Sequence, residues 1–298
     1  MTSLLSLDTS PETLRLPAAF KNNKNLRMKN TYFTSEELEL KNRAFLLGDA
    51  VKVSFFVRNS QLIMDEECYF FLMASMRKMR MHIPLTYTLE FFQTLFKEKV
   101  IDEGGLQNGI INFLVYRNSD GITLSKSTVS YFFEVSEMSD VLAIDGRSLE
   151  LDLIKEINVS NHLLSNIRVH SPENIYAGIY AEENDLDDVI LLNPNKRIAR
   201  STSGNLLFLE GNVIKVPKHS EGAYISPLLE NFVTFLHKNN LADIQEHEII
   251  AFESQKAEEI LMISDEKGIF SVKKIRNKTF ESTRFSELVE GWKNSFPQ

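Results

Sequence analysis

Residues 160–217 leave the chain little freedom in how it can fold. Ser171-Pro172-Glu173 opens a helix: the serine hydroxyl caps the first turn, and proline suits the first helical position, where a backbone N–H has no partner to lose. After the helix, residues 189–192 form a short apolar run of the kind buried in a sheet. Residues 206–209 and 213–216 then turn about Glu210-Gly211-Asn212, a hairpin signal because Gly beside Asn tolerates positive φ. Ahead of the helix, residues 163–170 read as an extended lead-in.

The flanking sequence extends the pattern. Ala50–Arg58 (AVKVSFFVR) alternates, with Val51, Val53, Phe55 and Val57 on one face. Asn59-Ser60 turns into residues 62–64, and Asp65 is expected to cap a helix reaching Met81. Pro84 ends that segment, and residues 89–99 form a second amphipathic helix. Residues 110–116 and 129–135 read as strands paired around Asp120-Gly121. Gln107-Asn108-Gly109 is a lead-in rather than a phosphate loop. Ser226-Pro227 starts a helix carrying Leu228, Leu229, Phe232, Val233, Phe235 and Leu236. A short strand over 246–251, a helical turn or two over 254–259, strands over 260–264 and 269–272, and a closing helix over 285–292 complete the chain. Strands in both halves, separated by amphipathic helices, predict α+β architecture. The polar stretch 137–148 divides a smaller N-terminal domain (29–140) from a larger C-terminal one (146–298), and 1–28 is an extension without chemistry of its own. Residues 254–275 are expected to return to the larger sheet.

Composition narrows the function classes. Hydrophobic residues at 43% and charged residues at 25% fit a globular protein, and the net charge of −8 argues against nucleic acid. The single cysteine, Cys68, excludes an internal disulfide and a cysteine-rich zinc site, and reads as a small buried hydrophobe. The six histidines form no metal-binding pair, so no metal is expected. No apolar run would span a bilayer, and residues 1–7 lack the basic start of a secretion signal, so the expected location is the cytoplasm.

Several stretches share an order and spacing: Asn42-Arg43-Ala44-Phe45-Leu46-Leu47-Gly48-Asp49-Ala50, Leu72-Met73-Ala74-Ser75-Met76-Arg77, Leu163-Leu164-Ser165, Asp188-Val189-Ile190-Leu191-Leu192-Asn193 and Gly204-Asn205-Leu206-Leu207-Phe208. Over roughly residues 30–280 this resembles the class IV aminotransferases, pyridoxal-phosphate enzymes of fold type IV that include branched-chain and D-amino acid aminotransferases and aminodeoxychorismate lyase. The resemblance implies a two-domain α+β fold, a site between the domains and beside a dimer partner, and hence a homodimer. The apolar face of residues 51–57 is expected to need covering by that partner.

The resemblance also places four demands on the cofactor site. The lysine that should bind the cofactor falls at Arg168, whose guanidinium is no amine nucleophile. The acid that should face the ring nitrogen falls at Arg200, a charge of the wrong sign. The phosphate-binding segment falls at Ser226-Pro227-Leu228-Leu229, where proline removes an N–H and leucine replaces an arginine. A second phosphate-holding arginine falls at Phe71. The late loop becomes Ser264-Asp265-Glu266-Lys267, which brings two acids. The expectation is therefore a catalytically inactive homologue with no cofactor, a dimeric binding protein whose cleft, lined by Arg168 and Arg200, takes a small anionic metabolite. The alternative is an active pyridoxal-phosphate aminotransferase or aminodeoxychorismate lyase with Lys267 as substitute lysine. A weaker reading, cofactor-free chemistry, has His170 as its lone candidate.

Overall fold

The computed structural model describes residues 30–34, 43–118 and 126–297. The expected 1–28 extension and the Asp120-Gly121 turn lie outside the described residues.

Two sheets organise the chain. The first contains β1 (Asn30–Thr34), β2 (Ala50–Arg58), β3 (Gln61–Ile63), β4 (Gly109–Arg117), β5 (Val129–Glu137) and β7 (Arg168–Val169), in the order β1-β5-β4-β2-β3 with β7 also on β2. β3 pairs with Phe56–Arg58 and β7 with Val51 and Lys52. One edge of β2 is thus shared end to end by two short strands, and Arg168 stands opposite Lys52.

The second sheet contains β6 (Leu149–Asn158), β8 (Asp188–Leu192), β9 (Ile198–Ser201), β10 (Asn205–Glu210), β11 (Val213–Pro217), β12 (Asp243–His247), β13 (Glu259–Ser264), β14 (Gly268–Ile275) and β15 (Lys278–Thr279). Its order is β12-β11-β10-β13-β14-β6-β8-β9, with β15 on β14. β9 and β10 lie far apart in that order yet follow one another after a tight turn closed by Ser201 N–H on the Gly204 carbonyl (2.9 Å). The sheet must therefore curl back on itself. Gly204 permits the closure, since a Cβ there would lie 2.4 Å from the Ile263 carbonyl oxygen.

Side-chain alternation then assigns each strand face to a core. Leu206 and Phe208 join Ile260, Met262, Leu151, Ile190 and Phe270 inside the curl. Leu207 and Leu209 join Leu261, Ile263, Leu228, Phe232 and Trp292 in the main core, which continues into the first sheet. The helices are α1 (Arg43–Leu47), α2 (Asp65–Lys78), α3 (Leu89–Phe96), α4 (Pro172–Glu183), α5 (Pro227–Lys238) and α6 (Thr283–Lys293). Residues 254–275 do supply central strands of the larger sheet.

Several local expectations are corrected. Asp65 does not cap α2: Met64 holds the cap in the left-handed region (φ 53°), and Asp65 accepts from Gln93 Nε2 (2.6 Å). α2 stops at Lys78, because Arg80 turns left-handed and Met81 N–H closes on the Met76 carbonyl. α3 ends at Phe96 and continues as a π-helical segment to Asp102. Residues 163–170 are turn rather than extended until β7. The strand expected at 246–251 lies at Asp243–His247, and residues 254–259 contribute one 3-10 turn at Glu253–Gln255 before β13 begins. The alternating face of β2 needs no second chain, since Val51, Val53, Phe55 and Val57 are already buried in the main core, where Phe55 meets Phe92, Phe96 and Phe113.

Candidate functional site

The two sheets meet around a cavity of about 450 Å³ lined by Lys52, Arg168, His170, Asn174, Thr202, Tyr224, Glu266 and Lys267, with Gly48 and Ala50 at one wall. Gly48 (φ +63°) is required there, because a Cβ would fall 2.4 Å from the Cβ of His170.

Arg168 is fixed from three sides. Its Nη2 donates to the Ser203 carbonyl (2.5 Å), its Nε lies 3.5 Å from Glu266 Oε1, and its guanidinium carbon sits 4.1 Å from the Tyr224 ring centroid. Burial pulls its pKa down, but Glu266, Tyr224, Asp265 and Asp188 together raise it, so the group stays a cation. Ser203 is itself held: the Asp188 carboxylate accepts from Thr202 N–H (3.1 Å) and Ser203 N–H (3.0 Å), and Ser264 Oγ donates to the same Ser203 carbonyl (2.7 Å).

Arg200 lies deeper and is 3% exposed. It donates to the Gly222 carbonyl (2.9 Å) and Asn174 Oδ1 (3.2 Å), and its guanidinium also lies over Tyr224, 4.2 Å from the centroid. Its Nε is buried without a hydrogen-bond partner among the described residues. Burial lowers its pKa, offset in part by Tyr224. One phenol ring therefore serves two guanidiniums, and its hydroxyl accepts from Asn174 Nδ2 (2.7 Å). The expected cleft lined by both arginines is corrected: Arg200 lines a smaller neighbouring cavity of about 40 Å³, while Arg168 lines the large one.

The late loop is the turn from β13 to β14, and its two acids act in different directions. Glu266 reaches the cavity and pairs with Lys52 Nζ (2.8 Å) as well as Arg168. Burial raises its pKa, but Arg168 and Lys52 outweigh that and hold it below the usual range. Asp265 turns away and is buried, accepting from Ser226 Oγ (2.6 Å) and from Leu228 N–H (3.3 Å) at the start of α5. Burial pushes its pKa up to about 6, against the lowering effect of Ser226. Lys267 is exposed at the cavity mouth. Phe71 is on α2, packed against the main core, and is not among the residues lining the cavity.

Sequence reasoning missed several residues here. Lys52 carried a visible signal, a lysine inside an otherwise apolar strand, whereas Tyr224 and Asn174 carried none. Among the described residues no group of three or more His, Cys, Asp or Glu could hold a metal ion, and no helix is long and apolar enough to cross a membrane. Cys68 is buried, with its thiol pKa raised by that burial.

The sequence profile described as "Amino-transferase class IV" matches residues 72–275, more than half of the chain. This chain belongs to that family. Structural comparison with solved proteins finds the same fold at low identity. A Legionella pneumophila protein assigned as a 4-amino-4-deoxychorismate lyase is 18% identical at a TM-score of 0.76, over 88% of this chain and 96% of that one. The branched-chain aminotransferase of Thermoproteus uzoniensis is 12% identical at 0.76 (88% and 93% covered), and that of Escherichia coli 13% at 0.75 (85% and 87%). A search of curated proteins returns no match.

At the positions where class IV aminotransferases are expected to hold pyridoxal phosphate, the residues present do not fit that group. Position 168 offers a paired guanidinium instead of an amine, and position 200 a cation instead of an acid. The first turn of α5 offers Pro227, which has no N–H, and a Leu228 N–H already taken by Asp265.

Proposed function

We propose that this class IV chain works without pyridoxal phosphate, as a catalytically inactive homologue and homodimeric binding protein whose cavity takes a small anionic metabolite. The observation that carries the reading is Arg168, a protonated guanidinium locked onto Ser203, Glu266 and Tyr224 where the family resemblance puts its lysine. Supporting the ligand class, Lys52, Arg168 and Lys267 outnumber the single carboxylate of Glu266 at the cavity wall.

The test is incubation with excess pyridoxal phosphate, desalting, a visible absorbance scan, and borohydride trapping with peptide mapping. The expected result is no retained chromophore in the wild type, and none in Arg168→Lys, because Arg200 and Asp265 still oppose the ring nitrogen and the phosphate. A stoichiometric trapped adduct on Lys267 or Lys52 would overturn the reading in favour of a relocated catalytic lysine. A panel of small carboxylates and phosphates, read by thermal shift in the wild type and in Lys52→Met, then reports on the ligand.

A further inference from the structure

The first turn of α5 is satisfied entirely from within the chain. Pro227 has no N–H to offer, Leu228 N–H donates to Asp265 Oδ1 (3.3 Å), Leu229 N–H to Ser226 Oγ (3.1 Å) and Glu230 N–H to the Ser226 carbonyl (2.9 Å). Ser226 Oγ in turn donates a hydrogen bond to Asp265 Oδ1 (2.6 Å), so serine and aspartate together satisfy the start of the helix. Asp265 is 5% exposed, Ser226 3% and Leu228 0%. The large cavity reaches Glu266 and Lys267 on the same turn, but neither Asp265 nor any residue of α5 lines it.

A helix start carries partial positive charge and free N–H groups, which an anion normally meets. Here a carboxylate tethered through the β13–β14 turn meets them. We propose that Asp265 is a resident anion standing in for a phosphoryl group at the start of α5, so that this end of the site is closed to phosphorylated ligands. Ligands of the neighbouring cavity are then selected by Lys52, Arg168 and Lys267 alone, without help from the helix. The inference rests on the cofactor-free reading and explains it: the phosphate of pyridoxal phosphate would have to displace a buried, doubly hydrogen-bonded carboxylate.

Inorganic phosphate is the probe, applied to the full chain. Wild type and Asp265→Asn, whose amide oxygen keeps the cradle filled, should show no saturable phosphate-dependent rise in Tm. Asp265→Ala, which empties the cradle, should gain affinity for phosphate by about tenfold or more. A folded Asp265→Ala with no gain overturns the inference, as does a wild type that responds as strongly as the variant. Should Asp265→Ala fail to fold, the wild type decides by amide hydrogen exchange at Leu228 and Leu229. Exchange unchanged by phosphate supports a closed site, and phosphate-dependent protection overturns it. A lysine adduct with pyridoxal phosphate alongside unaltered exchange at Leu228 would sink the cofactor-free reading while leaving this inference standing.

Discussion

Asp265 sits where two tendencies oppose one another. Burial disfavours its charge and pushes its pKa up to about 6, while Ser226, Arg168 and the Leu228 N–H favour the charge, and neighbouring Glu266 disfavours it further. Cys68, whose ionisation the Asp265 charge also disfavours, is held as a neutral thiol chiefly by burial. The sign of the consequence is fixed by linkage. A carboxyl bound more tightly to its proton in the folded than in the unfolded chain adds stability as pH falls, fully below the unfolded value near 3.8 and lost as pH rises through about 6. The Tm of wild type minus that of Asp265→Asn should therefore increase, by roughly a few degrees, as pH is lowered from 7 to 4. Differential scanning calorimetry across that range checks it, and a gap that shrinks on acidification would contradict the assignment. Glu266, with its pKa held low, contributes in the opposite direction, and because it is present in both proteins most of that contribution drops out of the difference. The sequence made two acids visible near an expected phosphate. It could not reveal that one would cap α5 and the other face the cavity, because that depends on the register pairing Ser264 with Gly268.

At the scale of elements, what was legible followed from local chemistry. The Ser-Pro starts of α4 and α5 cap as expected, with Ser171 Oγ accepting from Asn174 N–H and Ser226 Oγ from Leu229 N–H. Gly211 takes the positive φ of the hairpin turn. Strand β6 escaped although Leu149, Leu151 and Leu153 alternate with Glu150 and Asp152, because its partners β8 and β14 are parallel and distant in sequence. The pairing of β7 with β2 was equally hidden, and with it the meeting of Lys52 and Arg168 at Glu266. That carboxylate ties the β13–β14 turn of one sheet to two strands of the other. Its Arg168 partner has an 11% exposed side chain and its Lys52 partner 35%, so the second contact is screened by water. Glu266→Gln should cost about 1–3 kcal/mol in urea unfolding, since it leaves a largely buried guanidinium short of its counter-charge. Glu248→Gln is the contrast: its pairs with Lys218 and Arg197 are more exposed and screened by water, so its urea midpoint should stay close to that of the wild type. Equal midpoints for the two variants would show that Glu266 is no tie between the sheets.

For the whole molecule, the remaining question is what lies against the outer side of the cavity. The strand faces once expected to need a partner are buried within the chain, so the argument for a second copy has to come from elsewhere. It comes from α4, whose first turn brings Asn174 to the cavity while Ile175 and Ile179, one turn apart on the same helix face, stay 55% and 51% exposed. Leu163, on the turn that leads to β7, is 66% exposed and lies in the same part of the chain as the small cavity beside Arg200. Apolar side chains set around one site are what an isologous dimer would cover, and covering them would also wall the cavity. Light scattering at micromolar concentration should accordingly report about 68 kDa, twice the 34.2 kDa chain. Ile175→Glu together with Ile179→Glu should shift the protein to the single-chain mass while leaving its far-UV circular dichroism unchanged, because both side chains lie outside the three buried clusters. A wild type that runs as a clean monomer would refute the dimer, and a wild-type dimer unaffected by the double variant would move its interface away from α4.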